Sequence, residues 1–374
     1  MQTPDWEALR SQFPTLAHWT YMDIARKSPM SLGVEGVLKD FAQDIYLNAG
    51  EDAWNGKNVH TTRMVMADLL GCAPESIAFT KNTTEGLNIV SHALNLKAGD
   101  NIVLTDMDHM ANIWVWERWK EHGVDLRVVQ NSDGRLPVEA FLEKIDEKTR
   151  VVATAWVTYR NGYRVNLPEL GKICKERGAL LVVDGVQAAG LLNIPLCELG
   201  ADAVAIGGHK NLFGLNGSGV LYMRPDLIEK SKTGLAKPMH YVKSTATEGF
   251  EDQHELHRFE GGNPNYLGLF AFRRSAAMIK AIGMGNIENR ARELTDIFLG
   301  MLKKRRIKTQ TPSNWDDRCH IVNFPVAGDA KQIRAVLREK RIVVNVKDGY
   351  LRASMGFFNK EEDLDVLMRA VDAL

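Results

Sequence analysis

The sequence predicts an α/β protein with a mostly parallel seven-stranded sheet, followed by a smaller C-terminal α+β domain. Three observations carry this expectation. Between Ile77 and Ile206 short apolar strands alternate with amphipathic helices, a spacing that calls for a mostly parallel sheet covered on both faces. A glycine-rich turn then precedes another strand candidate, and after about Gly283 the pattern changes to a long helix followed by mixed short elements.

The strands are expected at Ile77–Thr80, Asn101–Thr105, Leu126–Val129, Val151–Trp156, Leu180–Val183, Ala203–Ile206 and Gly219–Met223. Helices between them are expected at Glu85–Leu94, Met110–His122, Val138–Ile145 and Leu167–Arg177. The C-terminal pattern gives a helix over Asn286–Lys304, a strand over His320–Phe324 and a helix over Lys331–Lys340. Strands at Ile342–Val346 and Tyr350–Ser354 follow, then a last helix capped by Asn359 with Glu362 in the capping-box position. We therefore divide the chain into an N-terminal segment (1–20), a large domain (21–283) and a small domain (284–374). The stretch from Met1 to about Asn55 is expected to pack back on the small one.

With 374 residues, the chain is longer than one hydrophobic core usually serves. Lys+Arg and Asp+Glu both number 47, and this balance argues against nucleic acid or an anionic membrane as the main partner. No run approaches the roughly 20 apolar residues of a membrane span, and the first ten residues lack a signal-peptide pattern. The four cysteines are scattered without a C-x-x-C pair, so no metal site is expected and a reducing, cytoplasmic setting fits.

In parallel α/β sheets ligands sit at the carboxyl ends of the strands, so the loops there come next. Asp184 follows an apolar strand directly, with Gln187 three residues on. Such a carboxylate can keep a pyridine nitrogen protonated, and Gln187 can donate to a ring oxygen. Lys210, in Gly207-Gly208-His209-Lys210, also follows a strand, and its glycines let the backbone approach a ligand. A lysine there can form a Schiff base and then act as a base. Thr83 and Thr84 open a helix after a strand, where free N–H groups and the helix dipole suit a phosphate. Taken singly, these are also an ordinary capping Asp, a surface Lys and N-capping threonines. Together they supply the parts that pyridoxal 5′-phosphate (PLP) needs.

With these motifs the chain resembles the class V aminotransferase family of fold-type I PLP enzymes, which includes cysteine desulfurases and isopenicillin N epimerase. The markers are Tyr21-Met22-Asp23, Asn82-Thr83-Thr84-Glu85, Asp108-His109, Asp184-x-x-Gln187, Gly208-His209-Lys210, Arg258-Phe259-Glu260-Gly261-Gly262 and Leu351-Arg352-Ala353-Ser354. The resemblance implies that Thr83, Thr84 and His209 hold the phosphate and that His109 stacks on the ring. It implies that Asp184 and Gln187 contact the ring nitrogen and phenolic oxygen, and that Arg352 grips the substrate carboxylate. A homodimer with shared sites is also implied, Asn263 reaching into the partner's pocket.

The chain departs from the desulfurase pattern at several points. Gly207 stands where a phosphate-binding Ser is usual, Asn263 where a Thr is usual, and Tyr159 where an Asn usually bonds the ring oxygen, with Asn161 close by. The stretch Val344-Asn345-Val346-Lys347-Asp348-Gly349-Tyr350, where a desulfurase carries its mobile Cys, has none. Cys319 precedes a strand and reads as structural, so persulfide transfer is not expected. The remaining reactions are β-elimination, epimerisation and transamination. The short loop favours a lyase or epimerase, a keto-acid-using aminotransferase is the nearest rival, and a PLP-binding protein without turnover is the alternative from another class. An epimerase would draw a second proton donor from His109 or Tyr159. Arg26 or Lys27 is expected to meet an acidic group on the substrate, a solvated pair being the alternative, and Trp114, Trp116 and Trp119 line a pocket or pack in a core or dimer contact.

Overall fold

The computed structural model describes residues 4–231, 244–245, 249–250, 255–347 and 349–374. Asp348 of the short loop lies outside them. The chain opens with α1 (Trp6–Ser11), β1 (Thr20–Tyr21), α2 (Leu32–Asn48) and α3 (Gly56–Leu70). It then alternates β2 (Ile77–Thr80), α4 (Thr83–Ala93), β3 (Asn101–Thr105), α5 (Ala111–Glu117), β4 (Asp125–Val129), α6 (Val138–Leu142), β5 (Thr149–Ala155), α7 (Leu167–Glu176) and β6 (Leu180–Asp184). Strands β7 (Ala203–Gly207) and β8 (Gly219–Met223) complete a seven-stranded sheet of order β2-β8-β7-β6-β5-β3-β4. Only β8 runs antiparallel to its neighbours in that sheet. This is the fold-type I architecture expected from the sequence.

Helix α8 (Pro225–Lys230) and a short antiparallel pair, β9 (Ser244–Thr245) and β10 (Gly249–Phe250), precede α9 (Tyr266–Ile282) and α10 (Met284–Lys304). Then come β11 (Ile321–Pro325), α11 (Ala330–Glu339), β12 (Ile342–Val343), β13 (Asn345–Lys347), β14 (Tyr350–Ser354) and α12 (Glu361–Val371). Strands β11, β14 and β13 form a second, antiparallel sheet. Among the described residues no helix is long and apolar enough to cross a membrane.

Side-chain alternation along each strand feeds two cores, one on each face of the large sheet. On β6, Leu181 and Val183 enter the core that holds Phe141 and Phe272, while Val182 enters the one that holds Leu87 and Trp116. A third core lies under the second sheet, where Leu294, Phe298 and Leu367 pack on Phe324 and Leu351. Each such side chain, fully buried, contributes about 1.5–3 kcal/mol. Trp116 is thus core, its Nε1 donating to Asn112 Oδ1 at 3.4 Å, Trp119 packs on that core, and Trp114 is exposed. None of the three lines the pocket described below.

Several expectations change in detail. The stretch Met110–His122 is α5 followed by a 3-10 turn over Arg118–His122. Ile342–Val346 is not one strand: Ile342 and Val343 pair in parallel with β1, whereas β13 pairs with β14. The two partners lie in different layers, so the strand breaks at Val344. Asn359 does not cap α12 through Glu362. Lys360 takes the cap position and its N–H donates to Asp363 Oδ2 at 3.2 Å, while Asn359 donates to the same oxygen at 2.8 Å. The competing choice won because Asp363 is also the buried partner of Arg10, bonded at 2.7 and 3.1 Å. Finally, the return of the N-terminal segment to the second sheet ends near Ala25. Asp23 bridges to Ser354 and Ala25 N–H donates to Ser354 Oγ at 2.9 Å, whereas α2 packs on α9 through Phe41 and Phe270.

Candidate active site

Strand ends β5, β6 and β7 and the first turn of α4 open onto one cavity of about 370 Å³, a size usual for small-molecule sites. Thr83, Thr84, His109, Tyr159, Asp184, Gln187, His209, Lys210, Arg352 and Arg26 all line it. Lys27 does not, its carbonyl instead accepting from Tyr21 Oη at 2.7 Å. Asn263 lies on a neighbouring cleft of about 470 Å³ with Phe79 and Tyr266, so in a single chain it adds nothing to the Lys210 cavity. That larger cleft lacks the chemistry: its lysine, Lys81, is exposed and lies 3.8 Å from Glu85.

The loop carrying Lys210 is held tightly from below. Gly208 N–H donates to Ser218 O at 2.7 Å, and Gly214 N–H donates to Gly208 O at 2.8 Å. A Cβ on Gly208 would sit 2.8 Å from the Ser218 carbonyl and 3.0 Å from Phe272, so glycine is required there. Phe213 closes the loop at φ +54°, a left-handed conformation that costs a bulky residue on the order of 1–2 kcal/mol. Phe13, Phe357 and Phe358 offset that cost by packing on its ring at 5.1–6.1 Å. Both ends of the chain therefore brace the lysine loop.

Lys210 Nζ has no hydrogen-bond or ion-pair partner among the described residues. Burial lowers its pKa to about 8, with Arg352 adding to the effect and Asp184 and Asp23 opposing it. Asp184, at the end of β6, is buried, and its Oδ1 accepts from Val186 N–H at 3.0 Å. Burial raises its pKa while Lys210 and the Val186 N–H pull it down. Neighbouring Asp108 is pushed up to about 8 by burial, bonded by Ala155 N–H at 2.8 Å and Asn112 at 3.1 Å.

His109 Nδ1 accepts from Ala111 N–H at 3.2 Å, which assigns the ring proton to Nε2. Its ring meets Tyr159 edge-on at 5.4 Å, and burial lowers its pKa. His209 is brought down to about 4, chiefly by burial and then by Lys210, so it is neutral near pH 7. Asn82 caps α4 by accepting from Glu85 N–H at 2.9 Å, and Asn82, Thr83 and Thr84 at this helix start line the cavity. Gly207 keeps that wall open: a Cβ would lie 3.1 Å from Thr83 Oγ1 and 3.2 Å from His209. Gln187 Nε2 donates to Ala25 O at 2.9 Å, and its Oε1 is buried without a partner.

Arg352 reaches the cavity from β14. Its Nη1 donates to Tyr159 O at 2.8 Å, and its Nη2 lies 3.3 Å from Asp23 Oδ1. Asn161, noted as close to Tyr159 in the sequence, is structural: buried outside the cavity, it donates to Gly134 O at 2.8 Å and Gln310 O at 3.1 Å. The sequence reading gave no site role to Asn345, Lys347 and Tyr350, which also line the cavity. The available signal was period two: Val346 and Leu351 are buried in the third core, so their flanking residues face the other way.

An aldehyde-reactive amine, a carboxylate suited to a pyridinium nitrogen and a helix N-terminus suited to a phosphate thus share one cavity. These residues fit PLP. A class-V aminotransferase family model matches residues 52–367. A probable cysteine desulfurase of Pyrococcus abyssi is 31% identical over 84% of this chain and 82% of its own. Another from Methanothermobacter thermautotrophicus is 29% identical over 78% of this chain and 74% of its own. The apo structure of a cysteine desulfurase from Thermococcus onnurineus NA1 superimposes with a TM-score of 0.89 at 28% identity, covering 100% of this chain and 99% of that one. The chain belongs to the class-V aminotransferase family of PLP-dependent enzymes.

Proposed function

We propose that this enzyme is a lyase that removes a β-substituent, in particular sulfur, from an amino acid. One observation carries the reading: Lys210, Asp184 and Arg352 share a cavity that no cysteine lines among the described residues. Cys174 and Cys319 are buried, and burial raises the Cys319 thiol to about 12, so it does not supply the thiolate that sulfur capture needs. The relatives' names concern sulfur removal from cysteine; without a cavity cysteine, the same removal can end in direct release.

When bound, PLP supplies an electron sink that acidifies the α-carbon of an amino acid. Thr83, Thr84, the first-turn N–H groups of α4 and neutral His209 would hold its phosphate without adding side-chain charge. Asp184 would accept from its ring nitrogen, Gln187 would donate to its ring oxygen, and His109 would lie against the ring. Arg352, anchored on one edge by Tyr159 O and Asp23, would present its remaining N–H groups to the substrate carboxylate. Lys210 would attach the cofactor, then as a neutral amine take the α-proton at Nζ and return it to the departing sulfur.

The low pKa of Lys210 gives a direct check. A lowered pKa means that the amine is neutral above about 8 instead of above 10.5. PLP uptake by the apoprotein, followed by stopped-flow absorbance, is expected to speed up as pH rises, with a midpoint at about 8. A midpoint near 10.5 would contradict the buried setting of this lysine.

The reaction itself is tested by product analysis with a panel of sulfur amino acids. Equal amounts of pyruvate, ammonia and the released thiol or sulfide, formed without an added thiol acceptor, are expected. Turnover that requires a keto acid would replace this reading with transamination, and an inverted α-carbon would replace it with epimerisation.

A further inference from the structure

The second sheet contributes a wall of the cavity. Strands β13 and β14 pair with Asn345 opposite Arg352 and Lys347 opposite Tyr350. Because side chains alternate along each strand, these four face the cavity while Val346 and Leu351 go to the core. Arg26 joins them from the turn after Asp23, its N–H donating to Asp23 O at 3.0 Å.

The charges on this wall do not balance. Arg352 is buried and held by Tyr159 O and Asp23. Arg26 and Lys347 are exposed, and neither side chain has a hydrogen bond or ion pair among the described residues. Asp184 is the carboxylate that lines the cavity among those residues, and it lies on the opposite, strand-end wall. In the proposed reading a substrate α-carboxylate would meet Arg352, and the cofactor phosphate would meet the α4 N-terminus. Asp23 holds Arg352 and lies within electrostatic reach of Arg26, so this wall still carries three cations against one carboxylate.

We propose that Arg26 and Lys347 form a second anion subsite, which selects an amino acid whose side chain ends in a carboxylate or comparable acid. The inference rests on the amino-acid site described above and names the class of substrate it takes. Arginine can engage the planar acid through paired N–H groups, and Lys347 adds a mobile point charge. Tyr350, half-buried beside them, offers a hydroxyl to the same group.

The test measures binding rather than turnover. Holoenzyme is titrated calorimetrically with α-methylaspartate and α-methylglutamate, and with α-methylleucine as the neutral counterpart, none of which has an α-proton to lose. The acidic analogues are expected to bind about tenfold tighter at low salt, the advantage shrinking as salt screens exposed charges. Arg26→Gln and Lys347→Gln should each reduce the acid-to-neutral affinity ratio by about fivefold, and Arg26→Lys and Lys347→Arg should retain most of it. A ratio unchanged in both glutamine variants, or near unity in the wild type, overturns the subsite and leaves the amino-acid reading standing. If no analogue binds protein that retains its PLP absorbance, the amino-acid reading falls and the subsite with it.

Discussion

Lys210→Ala is expected to lower kcat/KM by on the order of 10⁴-fold and to remove the visible absorbance band of lysine-bound PLP. The size follows from two losses at one atom, the attachment point of the cofactor and the group that moves the α-proton. The variant should still fold. The loop around residue 210 is held by Gly208 N–H on Ser218 O and by Phe213 against Phe13, Phe357 and Phe358, and none of these contacts uses the lysine side chain. Circular dichroism and a thermal melt close to the wild type would establish that. In the apoprotein, removing this amine relieves its desolvation cost but also takes away a charge that favours ionised Asp184, so the melt should change little. Turnover within tenfold of the wild type would end the assignment of Lys210.

Asp184→Asn is expected to reduce kcat/KM by about 10³-fold while leaving PLP bound. A charge pair near 4 Å at an effective dielectric of about 20 is worth roughly 4 kcal/mol, and an amide forfeits it. Asparagine keeps the shape and can still accept the Val186 N–H bond that Asp184 Oδ1 now takes at 3.0 Å. The discriminating measurement pairs steady-state rates with the absorbance of the bound cofactor against pH. The wild type should show one cofactor spectrum across the neutral range, and the variant a spectrum that changes with pH as the ring nitrogen loses its proton. An Asn variant with the wild-type rate would remove Asp184 from the ring nitrogen.

The two residues with the largest expected effects were both legible in the sequence, for one local reason. Asp184 and Lys210 each follow an apolar strand within a few positions, and strand ends in a parallel sheet converge on one edge. Thr83 and Thr84 were legible in the same way, as the start of a helix after β2. Arg352 was different. It lies 142 residues after Lys210, and only the resemblance named it; it reaches the cavity because β14 bridges Asp23 and its guanidinium docks on Tyr159 O.

Where local sequence proximity was the guide, it sometimes misled. Asn161 is two residues from Tyr159, yet the turn between them directs it to Gly134 and Gln310. Lys27 adjoins Arg26, yet only Arg26 lines the cavity. Asn359 and Glu362 had capping-box spacing, but Asp363 took the role because it also pairs with Arg10, more than 350 residues earlier in the chain. A single strand over Ile342–Val346 was the simplest pattern until β1 and β14 each claimed half of it.

The sequence by itself determined the alternating strands and helices, the strand-end carboxylate and lysine, and the hydroxyl-rich helix start. Each depends on periodicity or position within a few residues. The tertiary structure alone decided which distant side chains share the cavity: Arg352 beside Lys210, His109 against Tyr159, and Lys347 and Tyr350 on the far wall. Such neighbours are set by strand order and by the packing of the second sheet on the first, and no local pattern encodes the distance between residues far apart in the chain.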